Sequence, residues 1–331
     1  MANPKTSELA VSFEDILAAA GRIGGEALVT PVLRHPLLDE RASARVLIKP
    51  ENLQRSGSFK FRGAFNRLCQ IPAEDRPKGV VACSSGNHAQ GVASGARLLG
   101  MPATIVMPGD APAIKLERTR SLGARVVTYD RETEDREVIA AALCRETDAT
   151  FVHPYNDPAV IAGQGTVGLE LTDQAAALGL QLDDVLACTG GGGLSSGIAL
   201  ALAARSPATR FHTVEPALFD DYKRSLEAGE ILSNPAKTGS ICDALLSDSP
   251  GEIGFSILRR LAGEGVTVTD REVLAAVAFA FTELKLVVEP GGAVALAAVL
   301  SGKLPLAGKT VGVVLTGGNI DPQMLMTALA A

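Results

Sequence analysis

DDVLACTGGGGLSSGIALALAAR, residues 183–205, begins with two aspartates, passes through a short apolar run, turns on four consecutive glycines and leaves as an alanine- and leucine-rich segment. The run at 184–188 is too short for a helix and suits a parallel strand covered on both faces. Residues 194–203 carry helical spacing. Glycines between a strand and a helix let backbone N–H groups point inward at an anion, and the helix dipole reinforces the attraction. The competing reading is a tight turn that needs positive φ angles, but four glycines in a row lose more chain entropy than a turn requires. The loop lacks the Lys-Ser/Thr ending of a nucleoside-triphosphate loop and the GxGxxG spacing of a dinucleotide fold. A single phosphate is the most economical ligand.

The same alternation extends in both directions. Strands are expected at 46–49, 79–83, 103–107, 125–129, 210–215 and 310–315, and helices at 13–23, 87–99, 113–122, 134–145, 160–178, 271–284 and 293–300. Ser12 and Asp15 are placed as a reciprocal cap for the first helix. The pattern predicts an α/β chain with doubly wound, mainly parallel sheets, whose ligands lie beyond the carboxyl ends of the strands. Residues 217–250 are polar and irregular and are expected to wrap the surface.

Composition narrows the function. The chain has 331 residues, 47% hydrophobic and 21% charged, enough for a large core. A net charge of −6 excludes a phosphate-neutralising nucleic-acid surface. No apolar run approaches the roughly 20 residues of a membrane helix. The stretch MANPKTSELAVSFEDIL lacks the features of a signal peptide. Cys69, Cys83, Cys144, Cys188 and Cys242 are scattered without a C-x-x-C pair, so buried thiols in a cytoplasmic protein are expected rather than zinc or disulfides.

Small residues gather at three further places: Ser84-Ser85-Gly86-Asn87-His88 and Thr316-Gly317-Gly318-Asn319 at strand ends, and Glu289-Pro290-Gly291-Gly292 between two helical stretches. The first of these serves equally as a helix cap and as a carboxylate clasp, because the same orphan N–H groups do both. Lys60 lies in SGSFKFRGA, residues 56–64, where an apolar helix begins. Alone it reads either as a solvated charge or as an amine desolvated by Phe59 and Phe61, with a lowered pKa and usable nucleophilicity.

SGSFKFRGA, SSGNHAQGVA (84–93), HPYNDPAVIAGQGTVGLE (153–170), TGGGGLSSG (189–197), VEPGGA (288–293) and TGGN (316–319) stand in one order along most of the chain. Together they resemble the fold-type II pyridoxal-phosphate enzymes, nearest to the threonine/serine dehydratases and serine racemase. The resemblance implies that Lys60 tethers the cofactor aldehyde as a Schiff base beside Phe59, that Gly190, Gly191, Gly192 and Gly193 hold its phosphate, and that Asn87 meets its phenolic oxygen. Thr316 would face the pyridine nitrogen, a mild variation on serine or cysteine; a hydroxyl there makes the ring a weaker electron sink, favouring elimination over transamination. Glu289 would lie near the cofactor.

Ser84, Ser85, Gly86, Asn87 and His88 would clasp the substrate carboxylate. Lys60 and Ser85 would be the acid/base groups on opposite faces, with His88 a packing group rather than a base. Arg136 and Ser247 would approach the substrate side chain. Arg136 would meet a second carboxylate such as that of 3-hydroxyaspartate, or else belong to an exposed helix face. Glu215, Asp221 and the Phe219 carbonyl would hold a divalent cation, Mg²⁺ or Ca²⁺, or else form a solvated acidic surface.

The implied activity is a dehydratase-type ammonia-lyase acting on threonine, serine or 3-hydroxyaspartate, with a racemase in the same site as the alternative. The implied architecture is a large domain of residues 1–79 and 157–331 and a small one of 80–156, in a homodimer. The chain departs from the family pattern at Phe219, where the racemase has alanine, at Ala89, where it has glycine, and at 240–245, which replaces the usual Ala-Asp-Gly run. It ends soon after Asp321, leaving no room for the regulatory domain of biosynthetic threonine dehydratases, so a catabolic enzyme is expected.

Overall fold

The computed structural model describes residues 9–84, 86–111, 113–130 and 132–331. Its strands are β1 (Arg45–Pro50), β2 (Val80–Cys83), β3 (Ala103–Pro108), β4 (Arg125–Tyr129), β5 (Thr150–Phe151), β6 (Asp184–Cys188), β7 (Arg210–Pro216), β8 (Val266–Val268) and β9 (Thr310–Leu315). They form a five-stranded sheet in the order β1-β9-β6-β7-β8 and a four-stranded sheet in the order β4-β3-β2-β5. All their ladders are parallel.

The helices are α1 (Phe13–Ile23), α2 (Pro36–Ala42), α3 (Lys60–Cys69), α4 (Asn87–Leu98), α5 (Ala113–Ser121), α6 (Arg136–Thr147) and α7 (Pro158–Ala177). They continue as α8 (Gly193–Arg205), α9 (Asp221–Ala228), α10 (Glu252–Leu261), α11 (Asp270–Thr282), α12 (Pro290–Leu300) and α13 (Pro322–Ala330).

Alternate residues of the central strands feed opposite cores. Val46, Ile48, Leu186, Val311 and Val313 join one cluster, while Leu47, Val185, Ala187 and Val314 join another. Both faces are covered, and this explains why these strands read as continuous apolar runs. The expected doubly wound parallel architecture is therefore present, and Ser12 with Asp15 forms the expected capping box of α1. The five cysteines are free thiols.

Three expectations need correction. β5 and β8 add to the expected strands; both are too short to show periodicity in the sequence. Residues 290–292 are the first turn of α12 rather than a separator, with Pro290 in the position where its missing N–H is harmless. The 217–250 segment contains α9 and buries Phe219, Asp221, Tyr222 and Cys242, so it is partly core rather than a surface wrap.

α3 is pressed between α4 and α7. A Cβ on Gly63 would lie 2.6 Å from the Val160 carbonyl oxygen, and one on Gly163 would lie 2.7 Å from that of Arg62, so the two helices touch backbone to backbone. Beneath this contact lies a buried ionic quartet. Arg62 donates to both oxygens of Glu51 at 2.7 Å and to those of Glu170 at 2.6 and 2.9 Å. Lys49 donates to Glu170 at 2.6 Å, to the Thr30 carbonyl at 2.7 Å and to Gln174 at 3.0 Å. Two cations thus face two carboxylates, tying β1 and the turn after it to α3 and α7.

Candidate active site

The carboxyl ends of β2, β6 and β9 and the start of α3 surround one cavity. Phe59, Lys60, Ser84, Gly86, Asn87, His88, Arg136, Gly190–Gly193, Ser247, Glu289 and Thr316 all line it. Ser85, expected beside them, lies outside the described residues. Lys60 is fixed through its neighbours: Phe59 N–H donates to the Thr316 carbonyl at 3.1 Å, and Ser58 bridges Gly317. Its Nζ donates to the Pro154 carbonyl at 2.7 Å and stands 5.3 Å from the Phe59 ring centroid. Among the described residues it has no carboxylate partner.

Burial lowers the Lys60 pKa to about 8, so about a tenth of the amine is free at pH 7. Phe61 is not among the residues that line the cavity. It stacks on Phe65, with ring centroids 5.2 Å apart, facing away from the cavity in a cluster with Ile23.

The glycine loop owes its composition to its walls. A Cβ on Gly191 would stand 2.3 Å from the Tyr155 ring, and one on Gly192 would stand 1.8 Å from the Tyr222 hydroxyl. Only Gly192 has a positive φ, +89°, so the turn alone does not require four glycines. α8 starts at Gly193 without a side-chain cap, leaving its first amides and its positive dipole end for an anion.

Asn87 is held at both ends of its amide. It donates to Glu289 Oε1 and accepts from Asn319 Nδ2 at 2.7 Å; Asn319 in turn accepts from Arg118 at 2.8 Å. Burial lifts the Glu289 carboxyl to about 7, against the opposing hydrogen bond from Asn87. A buried carboxyl raised in this way stays neutral in the folded state up to about pH 7 while the unfolded state ionises from about 4.5, so folding loses stability across that interval. Glu289→Gln in cofactor-free protein should therefore gain stability relative to the parent between about pH 4.5 and 7, by about 3 kcal/mol on the alkaline side. Denaturant titrations at pH 5 and pH 8 measure this difference.

Thr316 Oγ1 lies 3.0 Å from Cys188 Sγ, whose pKa burial pushes to about 11, so the sulfur stays protonated. His88 is buried, and its Nε2 donates to the Val152 carbonyl at 2.9 Å. Burial and the nearby Lys60 charge drive its pKa down to about 3, leaving a neutral ring that lines the wall without acting as a base near neutrality. Ser84 Oγ accepts from Gly86 N–H at 3.1 Å, ordering the turn into α4. Arg136 both lines the cavity and is exposed, and among the described residues it has no ion-pair partner. Ser247 sits across the cavity, against Gly190.

Glu215, Phe219 and Asp221 are buried outside the cavity lining, so a solvated acidic surface is ruled out. Burial, with Asp221 nearby, raises the Glu215 pKa well above the usual carboxylate range, and burial brings Asp221 to about 6. Asp221 Oδ2 is buried without a hydrogen-bond partner among the described residues.

Several lining groups carried no recognisable sequence signal. Pro154 contributes only a carbonyl. Lys115 pairs with Asp243 at the rim across long sequence separation. His153 meets Tyr155 edge to face at 4.7 Å, and burial lowers the His153 pKa to about 4. His153, Pro154 and Tyr155 fall within the stretch 153–170, but the Pro154 contact with Lys60 and the Tyr155 contact with Gly191 join distant segments.

A family model described as pyridoxal-phosphate dependent enzyme matches residues 24–317. The chain belongs to this family. Among pyridoxal-phosphate dependent enzymes it is 46% identical over 312 residues to an L-threo-3-hydroxyaspartate ammonia-lyase from Pseudomonas sp, covering 94% of this chain and 96% of that one. The T.th. threonine deaminase superposes with a TM-score of 0.89 at 46% identity, covering 94% of this chain and 99% of that one. Maize serine racemase superposes with a TM-score of 0.91 at 36% identity, covering 97% of each. This pyridoxal-phosphate dependent enzyme thus has the fold-type II architecture that its motifs implied.

Proposed function

We propose that the chain is an ammonia-lyase that converts a 3-hydroxyaspartate to a 2-oxo acid and ammonia, with serine and threonine as poorer substrates. The observation that carries the substrate is Arg136, a guanidinium on the cavity wall with no ion-pair partner among the described residues, which shares that wall with Ser84 and Asn87. A relative named for L-threo-3-hydroxyaspartate supports the same choice.

The residues present fit pyridoxal phosphate. An uncapped helix start behind a glycine cradle suits the phosphate, a desolvated lysine suits the aldehyde, and Thr316 suits the ring nitrogen. When bound, that group supplies an electron sink conjugated to the substrate Cα. Lys60 Nζ would hold its aldehyde and, as a free amine, would be the base for the substrate Cα proton. Phe59 packs beside Nζ, while Asn87, which donates to Glu289, would meet the phenolic oxygen. Ser84, Gly86, Asn87 and His88 line the cavity at the start of α4, whose first amides would receive the α-carboxylate, with Ser85 as the proposed acid/base of the opposite face. Ser247 and Arg136 orient the side chain; a guanidinium can grip the second carboxylate with two parallel hydrogen bonds.

Arg136→Ala is expected to lower kcat/KM for 3-hydroxyaspartate about a hundredfold, the scale of a lost charged hydrogen-bond pair, while changing that for L-serine by less than about threefold. Equal losses on both substrates would remove Arg136 as the selector. Oxo-acid release from L-serine, L-threonine and each 3-hydroxyaspartate stereoisomer, with chiral analysis of unreacted substrate, tests the whole reading. Appearance of the opposite enantiomer without oxo acid would replace the lyase by a racemase.

The same proposal includes a divalent cation, Mg²⁺ or Ca²⁺, held by Glu215, Asp221 and the Phe219 carbonyl, where the unpartnered Asp221 oxygen suits a hard ion. It also includes a small domain of residues 80–156 between the two parts of a large one, since the four-stranded sheet draws on Val80 to Phe151 alone. Leu28, Val29, Leu53 and Val287 are exposed on segments joined through Gln54 and Asn52, a face suited to a second copy in a homodimer. Sedimentation reads that state directly. No described helix is long and apolar enough to cross a membrane, and a cytoplasmic location is consistent with the free thiols.

A further inference from the structure

The acidic pair and the glycine loop are separate in sequence, yet one residue, Tyr222, meets Glu215 through its backbone amide and the loop through its hydroxyl. Glu215 Oε1 accepts the Tyr222 amide at 2.8 Å, and Oε2 accepts that of Lys223 at 2.8 Å, so this carboxylate grips the first turn of α9. Asp221 is the first residue of the same helix and is held by Asn234 at 2.6 Å. From that turn the fully buried Tyr222 reaches to the phosphate side. Its hydroxyl donates to the Gly191 carbonyl at 3.3 Å and fills the space beside Gly192 and Gly254 where side chains would otherwise stand. Close packing transmits displacement instead of absorbing it. A shift of the α9 turn therefore moves the tyrosine, and the tyrosine cannot move without moving the loop.

We propose that Tyr222 is a positioning residue that makes the grip on the cofactor phosphate depend on a divalent cation at Glu215, Asp221 and the Phe219 carbonyl. This link rests on the two readings above, of the cavity as a pyridoxal-phosphate site and of the acidic pair as a cation site. The cation draws the two carboxylates together and fixes the first turn of α9; Tyr222 then holds Gly191 and Gly192 in the form that receives the phosphate. Thermodynamic reciprocity requires the cofactor to tighten the cation by the same factor.

The test measures pyridoxal-phosphate affinity of the full chain by cofactor absorbance, with saturating Mg²⁺ and with chelator. Calorimetric titration of Mg²⁺ is run with and without the cofactor. Mg²⁺ should tighten the cofactor by a factor on the order of ten, and the cofactor should tighten Mg²⁺ equally. Pyridoxal, which lacks the phosphate, should show a factor near one. Tyr222→Leu should reduce the factor for pyridoxal phosphate to near one while both ligands still bind. Tyr222→Phe, the milder variant if the leucine form does not fold, should reduce it several-fold.

If pyridoxal phosphate does not bind, the functional reading fails. If it binds but neither Mg²⁺ nor Ca²⁺ does, the cation reading fails and takes the link with it. If both bind and the factor is one in the parent, or is unchanged by either substitution, or is equal for pyridoxal, only the link is overturned.

Discussion

Lys60→Ala should abolish the visible absorbance band of the cofactor-loaded protein and lower kcat/KM by at least about a thousandfold. The two losses have different origins. The band requires a nitrogen covalently joined to the aldehyde, and an alanine supplies none. The rate loss is that of a positioned base, which by itself contributes on the order of a hundredfold to ten-thousandfold. Phosphate binding should partly survive, because Gly190 to Gly193 and the start of α8 do not depend on the lysine. The variant should therefore retain pyridoxal phosphate weakly, with the spectrum of the free aldehyde. An unchanged band would show that another amine carries the cofactor. An unchanged rate would show that a different group removes the Cα proton.

Arg62→Met should lower folding stability by about 3–5 kcal/mol, read as a reduced free energy in urea titration, because it leaves the buried carboxylates of Glu51 and Glu170 with too little positive charge. Methionine fills much of the arginine volume, so a loss of this size would report charge imbalance rather than a cavity. Lys49 remains as the only cation of the quartet and cannot reach all four oxygens. Since Arg62 lies two residues from Lys60 on α3, cofactor affinity should fall along with stability. A loss below about 1 kcal/mol would mean that water enters and solvates the exposed edge of Glu170.

The sequence made the architecture legible because the parallel strands are short apolar runs divided by long helical stretches, a pattern that few arrangements besides a doubly wound sheet satisfy. It made the cavity legible because glycine and hydroxyl residues gathered at strand ends. It could not show why the glycines were needed. The answer lies in Tyr155 and Tyr222, which press on the loop from other segments, and no local pattern records such contacts. The flanking phenylalanines gave half an answer: Phe59 faces the lysine, while Phe61, one residue beyond it, turns into a different core. Arg136 kept two readings in the sequence because a residue at a helix start can be exposed and still line a cleft, and the structure shows both conditions together. The buried quartet escaped notice altogether, since a lysine, an arginine and two glutamates look like surface residues until the chain brings them together.

The ladder between β1 and β9 has a consequence for how the molecule is made. Arg45 pairs with Thr310 and Pro50 with Leu315, so β1 cannot find this partner until β9, far downstream in the sequence, has been made. The four-stranded sheet draws its partners from residues 80–151 and can form early in synthesis, whereas the five-stranded sheet closes only once β9 has emerged. Phe59 and Ser58 are held by Thr316 and Gly317, so the neighbouring Lys60 lacks this anchor before then. Until then Lys60 is an ordinary solvated amine, without the burial that lowers its pKa to about 8. Products of interrupted translation would carry the lysine but not its pocket.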